Sequence, residues 1–375
     1  MTNQLKFSMN ETAYLVLADG SVFEGLSFGG EQSTYGEVVF NTSMTGYQEI
    51  LTDPSYSGQI VVPTYPIIGN YGINEKSNES KQIQVSGFVV RQYCESPSHP
   101  TSTSNINDFL ASQNIPGIHE IDTRAIVRKL RSSGVMMGAI AIGISPDEAM
   151  EKIQSSQAYN LTNFVQKVST QKQYTWSKNS DTSDNKESLL NILVSDYGVK
   201  YNILRILESK GCKVTVFPYD TTSEELLNLN PDGIMLSPGP GDPEMLDHTT
   251  KITKELVGRV PIMGICLGNQ ILAKAFGGKT FKLHFGHRGG NHPVKDLQTG
   301  RIYITAQNHG YAIDPESLPP EIAITHINMN DGTVAGIKHQ SLPAMSIQYH
   351  SEASPGPQDN EYIFDQFIEM VKEFK

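Results

Sequence analysis

One short stretch, residues 261–276, constrains the fold of this 375-residue chain more than any other. It opens with a proline and four apolar residues, the pattern of a short buried strand. Residues 267–276 favour a helix, which the two following glycines would end. Cys266 is therefore predicted to lie at a strand-to-helix turn, where Gly264 and Gly268 leave room for a tight bend.

A cysteine at such a turn has the position of a nucleophile on an open α/β sheet. The positive end of the helix dipole favours the thiolate, which is the reactive form of the side chain. A lone cysteine is otherwise commonly a buried structural residue. Because glycines flank Cys266 on both sides of a strand–helix junction, the nucleophile is the favoured interpretation.

The surrounding pattern alternates between strands and helices. Apolar strands are predicted at residues 189–195, 213–217, 233–237 and 262–265, with helices at residues 199–210, 223–229 and 249–258. This alternation is typical of a mostly parallel open sheet with helices on both faces. Ligands of such sheets bind beyond the carboxyl ends of the strands, where Cys266 and the Pro-Gly loop at residues 238–243 both fall.

The first part of the chain follows a different pattern. Short strands, helices and a long loop region rich in Gly, Pro, Asn and Tyr predict an N-terminal α+β domain over residues 1–166. Residues 167–188 are polar, with Tyr174 and Trp176 as the only large apolar side chains, and are predicted to be an inter-domain linker. The α/β domain would then occupy residues 189–375.

Composition restricts the partners and the compartment. A formal net charge of −11 argues against a nucleic-acid partner, which requires clustered Lys and Arg. The densest basic patch follows helical spacing and indicates one solvated or partner-facing helix edge, formed by Arg124, Arg128, Lys129 and Arg131. Apolar runs are too short to span a membrane, and three cysteines are too few for a disulfide framework, so we expect a cytoplasmic protein.

A cysteine nucleophile requires a base and a group that orients the base. Among ten histidines, His350 ends a predicted strand and would reach the same sheet edge as Cys266. Glu352, two residues later, can hold the far nitrogen of its imidazole. The Pro-Gly loop adds Gly239, whose N–H could form an oxyanion hole with the N–H of Leu267. This loop lacks both phosphate-binding patterns, a Lys-Ser/Thr pair and G-x-G-x-x-G.

A metal site is the competing interpretation for the remaining histidines. His284, His287 and His292 lie close together in the sequence, and His309 follows shortly after them. Cysteine and carboxylate ligands at suitable spacing are missing, however, and residues 284–292 look like a glycine-rich loop. We therefore expect no metal on this chain.

Three motifs together resemble the class I, triad-type glutamine amidotransferases. They are residues 237–243, 264–270 and 350–352. Further motifs are similar to the small subunit of carbamoyl-phosphate synthase and lie at residues 40–49, 52–56, 65–66, 122–124, 285–294 and 307–310. The resemblance covers nearly the whole chain.

The resemblance implies a reaction and a role for each matching residue. Cys266 would attack the side-chain amide of glutamine to form a γ-glutamyl thioester, His350 would shuttle protons, and Glu352 would orient His350. Gly239 and Leu267 would stabilise the oxyanion. The remaining substrate contacts would come from Ser55, Gly241, Gln270, Asn308, Gly310 and Tyr311.

The resemblance also implies a partner. Ammonia would pass to a large subunit that makes carbamoyl phosphate from bicarbonate and ATP, for arginine or pyrimidine biosynthesis. ATP and Mg²⁺ are therefore expected on that partner, and no cofactor is expected on this chain. Two positions depart from the family pattern: Ser351 replaces a usual proline, which could loosen the His–Glu geometry, and Pro238 replaces a frequent asparagine.

Two alternatives remain open. Another triad amidotransferase, such as the partner of an anthranilate synthase, would use the same C-terminal domain, but the N-terminal domain argues against it. A non-catalytic scaffold that only regulates a large subunit would have lost its nucleophile, whereas Cys266 is present.

Overall fold

The computed structural model of the protein describes residues 11–176 and 190–375, which form two compact units. The first unit holds the described residues up to Asn41, together with Gly58–Ser77 and Gln82–Tyr159. The second holds Asn160–Lys375 and two earlier segments, Thr42–Ser57 and Asn78–Lys81. The first of these segments carries helix α1 (Tyr47–Thr52). Two internal segments of the predicted N-terminal domain, and its last residues from Asn160 onward, thus belong to the unit that carries Cys266.

The described residues of the first unit contain nine strands. They are β1 (Thr12–Leu17), β2 (Val22–Gly29), β3 (Thr34–Asn41), β4 (Gln59–Pro63), β5 (Ile67–Ile68), β6 (Gly87–Val89), β7 (Gln92–Tyr93), β8 (Pro116–His119) and β9 (Met136–Ile142). Seven of them close into a barrel in the order β1-β2-β8-β6-β4-β3-β9, and β5 pairs with β7.

Three helices accompany this barrel, and local capping explains where each one begins. They are α2 (Ile106–Ser112), α3 (Thr123–Ser133) and α4 (Pro146–Ser155). Asn105 and Asp122 accept backbone N–H groups at the starts of α2 and α3. Helix α4 begins with a capping box between Ser145 and Glu148.

Ten strands of the second unit form one sheet. They are β10 (Tyr174–Trp176), β11 (Leu190–Asp196), β12 (Cys212–Pro218), β13 (Gly233–Leu236), β14 (Ile262–Ile265), β15 (Thr280–Asp296), β16 (Ile302–Ile313), β17 (Ile322–Asn328), β18 (Val334–His339) and β19 (Ala344–Ile347). The order is β10-β12-β11-β13-β14-β19-β18-β17-β15-β16. Strands β12, β11, β13, β14 and β19 are parallel, whereas the strands on either side pair in antiparallel fashion. The α/β class is confirmed, with an antiparallel extension that makes the sheet mixed.

Helices cover both faces of this sheet, as predicted. They are α5 (Val165–Val168), α6 (Tyr201–Ser209), α7 (Ser223–Leu227), α8 (Asp247–Leu256), α9 (Leu267–Ala275) and α10 (Tyr362–Phe374). Along β11, Ile192 and Val194 belong to a core with α6 and α10, while Leu193 belongs to a second core with α7, α8 and α9. Alternate residues of a parallel strand are thus buried on opposite faces, which explains its continuous apolar sequence.

Two regions differ from the sequence-based prediction. The prediction of a glycine-rich loop at residues 284–292 is wrong, because these residues belong to strand β15. This strand pairs with β16, and the pairing shifts register twice, each time at a segment that contains glycine. Part of the predicted linker is also structured. Strand β10 pairs with β12, and the ring of Trp176 lies 5.1 Å from that of Tyr201. The rest of that linker, from residue 177 onward, lies outside the described residues.

None of the helices in residues 11–176 and 190–375 is long and apolar enough to cross a membrane.

Candidate active site

Cys266 connects β14 to α9 and has a backbone conformation that few residues other than glycine adopt, with φ 54° and ψ −104°. Strain of this kind costs about 1–3 kcal/mol and persists where the surroundings enforce it. The N–H of Cys266 donates to the carbonyl of Ile347 on β19 at 2.9 Å. The predicted strand-to-helix turn is confirmed, and the cysteine is buried within it.

Glycine is required on both sides of the turn because α9 packs directly on strand backbone. A Cβ at Gly264 would lie 2.5 Å from the carbonyl oxygen of Gly268, and a Cβ at Gly268 would lie 2.2 Å from that of Leu236. Both distances are shorter than the 3.0 Å that Cβ atoms keep in proteins. The sequence pattern around Cys266 therefore follows from a close approach of backbones, as in other nucleophile elbows.

His350 and Glu352 lie at the same edge of the sheet, just after β19. The Nδ1 atom of His350 is 2.6 Å from Oε1 of Glu352, and both residues are buried. The backbone N–H of His350 donates to Ala306 at 2.8 Å, which fixes the start of this segment. The other ring nitrogen, Nε2, is buried and makes no hydrogen bond within the described residues.

The charges of this group depend on one another. Burial opposes the imidazolium of His350, but the carboxylate of Glu352 and the sulfur of Cys266 outweigh it and raise the pKa of His350 from 6.5 to about 10. Burial likewise opposes the carboxylate of Glu352, yet Lys200 and His350 lower its pKa from 4.5 to about 2. The structure thus brings Cys266, His350 and Glu352 together as an electrostatically coupled group.

Lys200 is a member of this site that the sequence analysis did not identify. Its Nζ donates to Oε1 of Glu352 at 3.0 Å and to the carbonyl of Ala353 at 2.5 Å, and the side chain is 2% exposed. Burial disfavours the ammonium, but Glu352, Asp53 and Glu79 raise its pKa. A lysine between an apolar strand and an amphipathic helix is a signal for such a pair, because an unpaired buried charge is costly.

The second unit also brings Asn308 and the loop after α1 to Cys266. The thiol donates to the carbonyl of Asn308 at 3.5 Å, and the amide of Asn308 donates to Asp53 at 3.1 Å. Asp53 in turn accepts the backbone N–H of Ser55 at 2.9 Å. The hydroxyl of Ser55 is buried without a hydrogen bond in the described part of the chain, so it can donate to a ligand. Asp53 is a second site residue that the sequence analysis missed.

The other predicted substrate residues lie around this centre to different degrees. Gln270 donates to the carbonyl of Tyr311 at 2.9 Å. A Cβ at Gly239 would lie 2.8 Å from the Leu267 side chain, so the loop closely approaches the first residue of α9. The Leu267 N–H begins that helix, where an intrahelical acceptor is missing. A Cβ at Gly241 would lie 3.8 Å from Phe164 and Thr162, and a Cβ at Gly310 would lie 3.4 Å from the guanidinium of Arg288.

Three members of the predicted histidine cluster pack together on β15 and β16, and two of them, His287 and His309, belong to a hydrogen-bonded network with Asn328 and Gln307. His287 is 2.8 Å from Asp331 and makes ring contacts with His292 and His309. Burial lowers the pKa of His287, lowers that of His292 to about 4 and lowers that of His309 strongly. These rings are therefore neutral at physiological pH and serve as hydrogen-bonding groups beside Asn308.

Two family profiles match this chain. "Carbamoyl-phosphate synthase small chain, CPSase domain" matches residues 15–140, and "Glutamine amidotransferase class-I" matches residues 193–370. A carbamoyl phosphate synthase small chain from Aquifex aeolicus is 50% identical over 372 residues, covering 97% of this chain and 100% of the relative. Small chains from Akkermansia muciniphila and Staphylococcus epidermidis are both 48% identical over 369 residues, covering 96% and 98% of this chain and 97% and 98% of the relatives.

These relatives match the chain over nearly its whole length. The amidotransferase profile covers the elbow, the residues after β19 and Lys200. The chain therefore belongs to the family of carbamoyl-phosphate synthase small chains, whose C-terminal part is a class I glutamine amidotransferase.

Proposed function

We propose that this chain is the glutamine-hydrolysing subunit of a carbamoyl-phosphate synthase and that Cys266, His350 and Glu352 form its catalytic triad. The observation that carries the proposal is the coupled arrangement of the three side chains at one sheet edge. The Nδ1 atom of His350 is 2.6 Å from Glu352, and the sulfur of Cys266 contributes to the raised pKa of His350. Cys266 itself lies on a strained elbow. The reaction itself follows from the family to which the chain belongs.

The first half of the reaction uses the charged form of His350. The Cys266 thiolate attacks the side-chain carbonyl carbon of glutamine, and the N–H groups of Gly239 and Leu267 stabilise the oxyanion. The imidazolium of His350 then donates its Nε2 proton to the leaving nitrogen, so that the C–N bond breaks and ammonia departs. This leaves a γ-glutamyl thioester and a neutral imidazole.

The second half regenerates the enzyme. The neutral His350 takes a proton from water, the resulting hydroxide attacks the thioester carbon, and the C–S bond breaks to release glutamate. Glu352 holds Nδ1 throughout, which keeps Nε2 directed at the reacting atoms. The buried position of all three side chains makes each charge interaction stronger than it would be in water.

The remaining substrate contacts are part of the same proposal. Ser55, Gly241, Gln270, Asn308, Gly310 and Tyr311 would hold the amino-acid end of glutamine and the thioester. The Ser55 hydroxyl and the segment around Asn308 have the strongest support, since Asp53 ties them together beside Cys266.

The partner is proposed to be a large subunit that uses the ammonia, bicarbonate and ATP to make carbamoyl phosphate. ATP and Mg²⁺ would bind to that subunit. A cytoplasmic location agrees with the three cysteines, all of which are free thiols.

Replacing Cys266 by serine tests the assignment of the nucleophile. The variant should lose glutamine hydrolysis, because a hydroxyl at the same site lacks the nucleophilicity of a thiolate. With the large subunit added, carbamoyl phosphate synthesis from ammonia should remain nearly intact while synthesis from glutamine disappears.

Cys94→Ser is the matched control, since Cys94 is a free thiol on the first unit. It should retain both activities. Glutamine hydrolysis by purified Cys266→Ser protein would overturn the assignment.

A further inference from the structure

Glu79 is a buried acidic residue that the proposed mechanism does not use. It is 1% exposed and lies in the segment Asn78–Lys81 of the second unit. Its carboxylate accepts the backbone N–H of Asn202 at 3.0 Å and pairs with the guanidinium of Arg205 at 2.9 Å. Arg205 also donates to the carbonyl of Asn78 at 3.0 Å. Hydrogen bonds and an ion pair thus join this segment to the N-terminal half of α6.

Helix α6 has no side-chain cap from the residue that precedes it. The residue before it is Lys200, whose side chain makes no capping hydrogen bond. The first N–H groups of a helix have no intrahelical acceptor, and the helix dipole favours a negative charge beside them. Glu79 supplies both the acceptor and the charge from a distant part of the chain. The backbone N–H of Glu79 donates to the hydroxyl of Thr52 at 2.9 Å, which fixes the backbone at this residue.

The opposite side of the same turn holds Glu352. The Lys200 ammonium is 3.0 Å from its Oε1 atom, and the side-chain amide of Asn202 donates to its backbone carbonyl at 2.6 Å. Asn202 is therefore held by Glu79 through its backbone N–H while its side chain holds Glu352. The first turn of α6 connects the two acidic residues.

We propose that Glu79 is a positioning residue for glutamine hydrolysis. From a distant part of the same chain it caps α6 and thereby sets the placement of Lys200 and Asn202 against Glu352. The inference rests on the proposed function, because Glu352 matters only if it orients His350. Within residues 11–176 and 190–375, the hydrogen bonds of the Glu79 side chain go to Asn202 and Arg205 and not to Cys266, His350 or Glu352. Its effect should therefore appear in the rate of the chemical step and leave substrate binding unchanged.

Charge supports this geometry. Burial, against the attraction of Lys200 and Arg205, raises the pKa of Glu79 from 4.5 to about 7. Lys200 in turn faces Glu352 and Asp53. A Glu79 that accepts a proton near neutral pH loses its charge beside the helix start, so the rate should fall as the pH drops through about 7. The variant Glu79→Gln should therefore not show this fall in rate below about pH 7.

The test replaces Glu79 by glutamine, which keeps the shape and removes the charge. In the full-length chain with glutamine as substrate, we expect kcat to fall about 10- to 100-fold with little change in KM, the range typical when a group that supports a catalytic residue is lost. Glu75→Gln is the matched control, since Glu75 is an exposed glutamate four positions earlier. It should leave kcat, KM and the pH profile unchanged.

A double variant separates positioning from simple stabilisation. In a Glu352→Gln background, Glu79→Gln should cost less than about threefold in kcat, because its effect already acts through Glu352. If Glu79→Gln prevents folding, Asn202→Ala removes the bond to Glu352 and leaves the cap, and it should show the same lowered kcat and the same non-additivity.

A folded Glu79→Gln protein with unchanged kcat and only a lower unfolding temperature would overturn the proposal. Full additivity with Glu352→Gln would overturn it as well. Neither result would affect the proposed function, which fails only if Cys266→Ser still hydrolyses glutamine.

Discussion

The variant Lys200→Met tests how far the stability of the protein and the activity of the proposed triad depend on a buried cation. The ammonium touches Oε1 of Glu352, and both side chains are almost fully buried. The pKa of Glu352 is lowered against burial, first by Lys200 and then by His350, from 4.5 to about 2. A change of this size corresponds to about 3 kcal/mol in favour of the ionised carboxylate.

Methionine fills most of the space of the lysine side chain but leaves Glu352 with one partner fewer. Removal of one member of a buried ion pair costs about 3–5 kcal/mol, because the other charge stays in a poorly solvated place. We therefore expect Lys200→Met to lower the free energy of unfolding by about 3–5 kcal/mol. Urea unfolding at neutral pH can follow this through Trp176, the only tryptophan of the chain, which packs against Tyr201 beside Lys200.

Lys210→Met provides the matched control at the other end of α6. Lys210 pairs with Asp365 at 2.6 Å, but the Asp365 side chain is 58% exposed. Ion pairs with that exposure contribute at most about 1 kcal/mol. Glutamine hydrolysis should fall about 10- to 100-fold in kcat for Lys200→Met and stay unchanged for Lys210→Met. Equal stability losses in the two variants would refute the role given to Lys200.

Three further predictions concern the triad and the partner. His350→Asn should lower glutamine hydrolysis, measured as glutamate release, by several orders of magnitude, and Glu352→Gln should lower it by less. If both variants were fully active, His309 or His287 would have to be tested as the base. Because the folded pKa of His350 is raised from 6.5 to about 10, its stabilising contribution is complete below about pH 6.5 and is lost as the pH rises toward 10. The difference in unfolding free energy between wild type and His350→Asn should shrink across that window, and an unchanged difference would contradict this. Co-expressed with a carbamoyl-phosphate synthase large subunit, the chain should elute as a complex with raised glutaminase activity, and separate elution at micromolar concentration would count against the partnership.

The part of the site that could be predicted from sequence is the part made by local backbone. Gly264, Cys266 and Gly268 lie within one strand–helix junction, and the spacing alone indicates that backbones meet there. His350 and Glu352 could be added because both follow a strand whose carboxyl end must reach the same sheet edge. Alternation of apolar strands and helices likewise predicted the parallel half of the sheet and its two covered faces.

Local pattern fails where polar residues from distant segments meet. The strand and helix pattern does not show that Asn78–Lys81 and Thr42–Ser57 join the unit of Cys266, since each is embedded in residues of the other unit. Only the family resemblance, through Ser55, placed the second of these segments at the site. The same holds for β15, whose glycines at the register shifts obscured the strand period.

The residues that the sequence analysis missed share one physical property. Asp53, Glu79 and Lys200 have ionisable side chains that are buried, and each is held by a partner far away in the chain: Asn308, Arg205 and Glu352 respectively. A buried charge must be paired to be tolerated, so these residues depend on the assembled unit for their own stability. They therefore make the geometry around Glu352 conditional on correct placement of the two inserted segments. Under the proposed function, this dependence is the reason why a perturbation at Glu79 should lower the rate of glutamine hydrolysis.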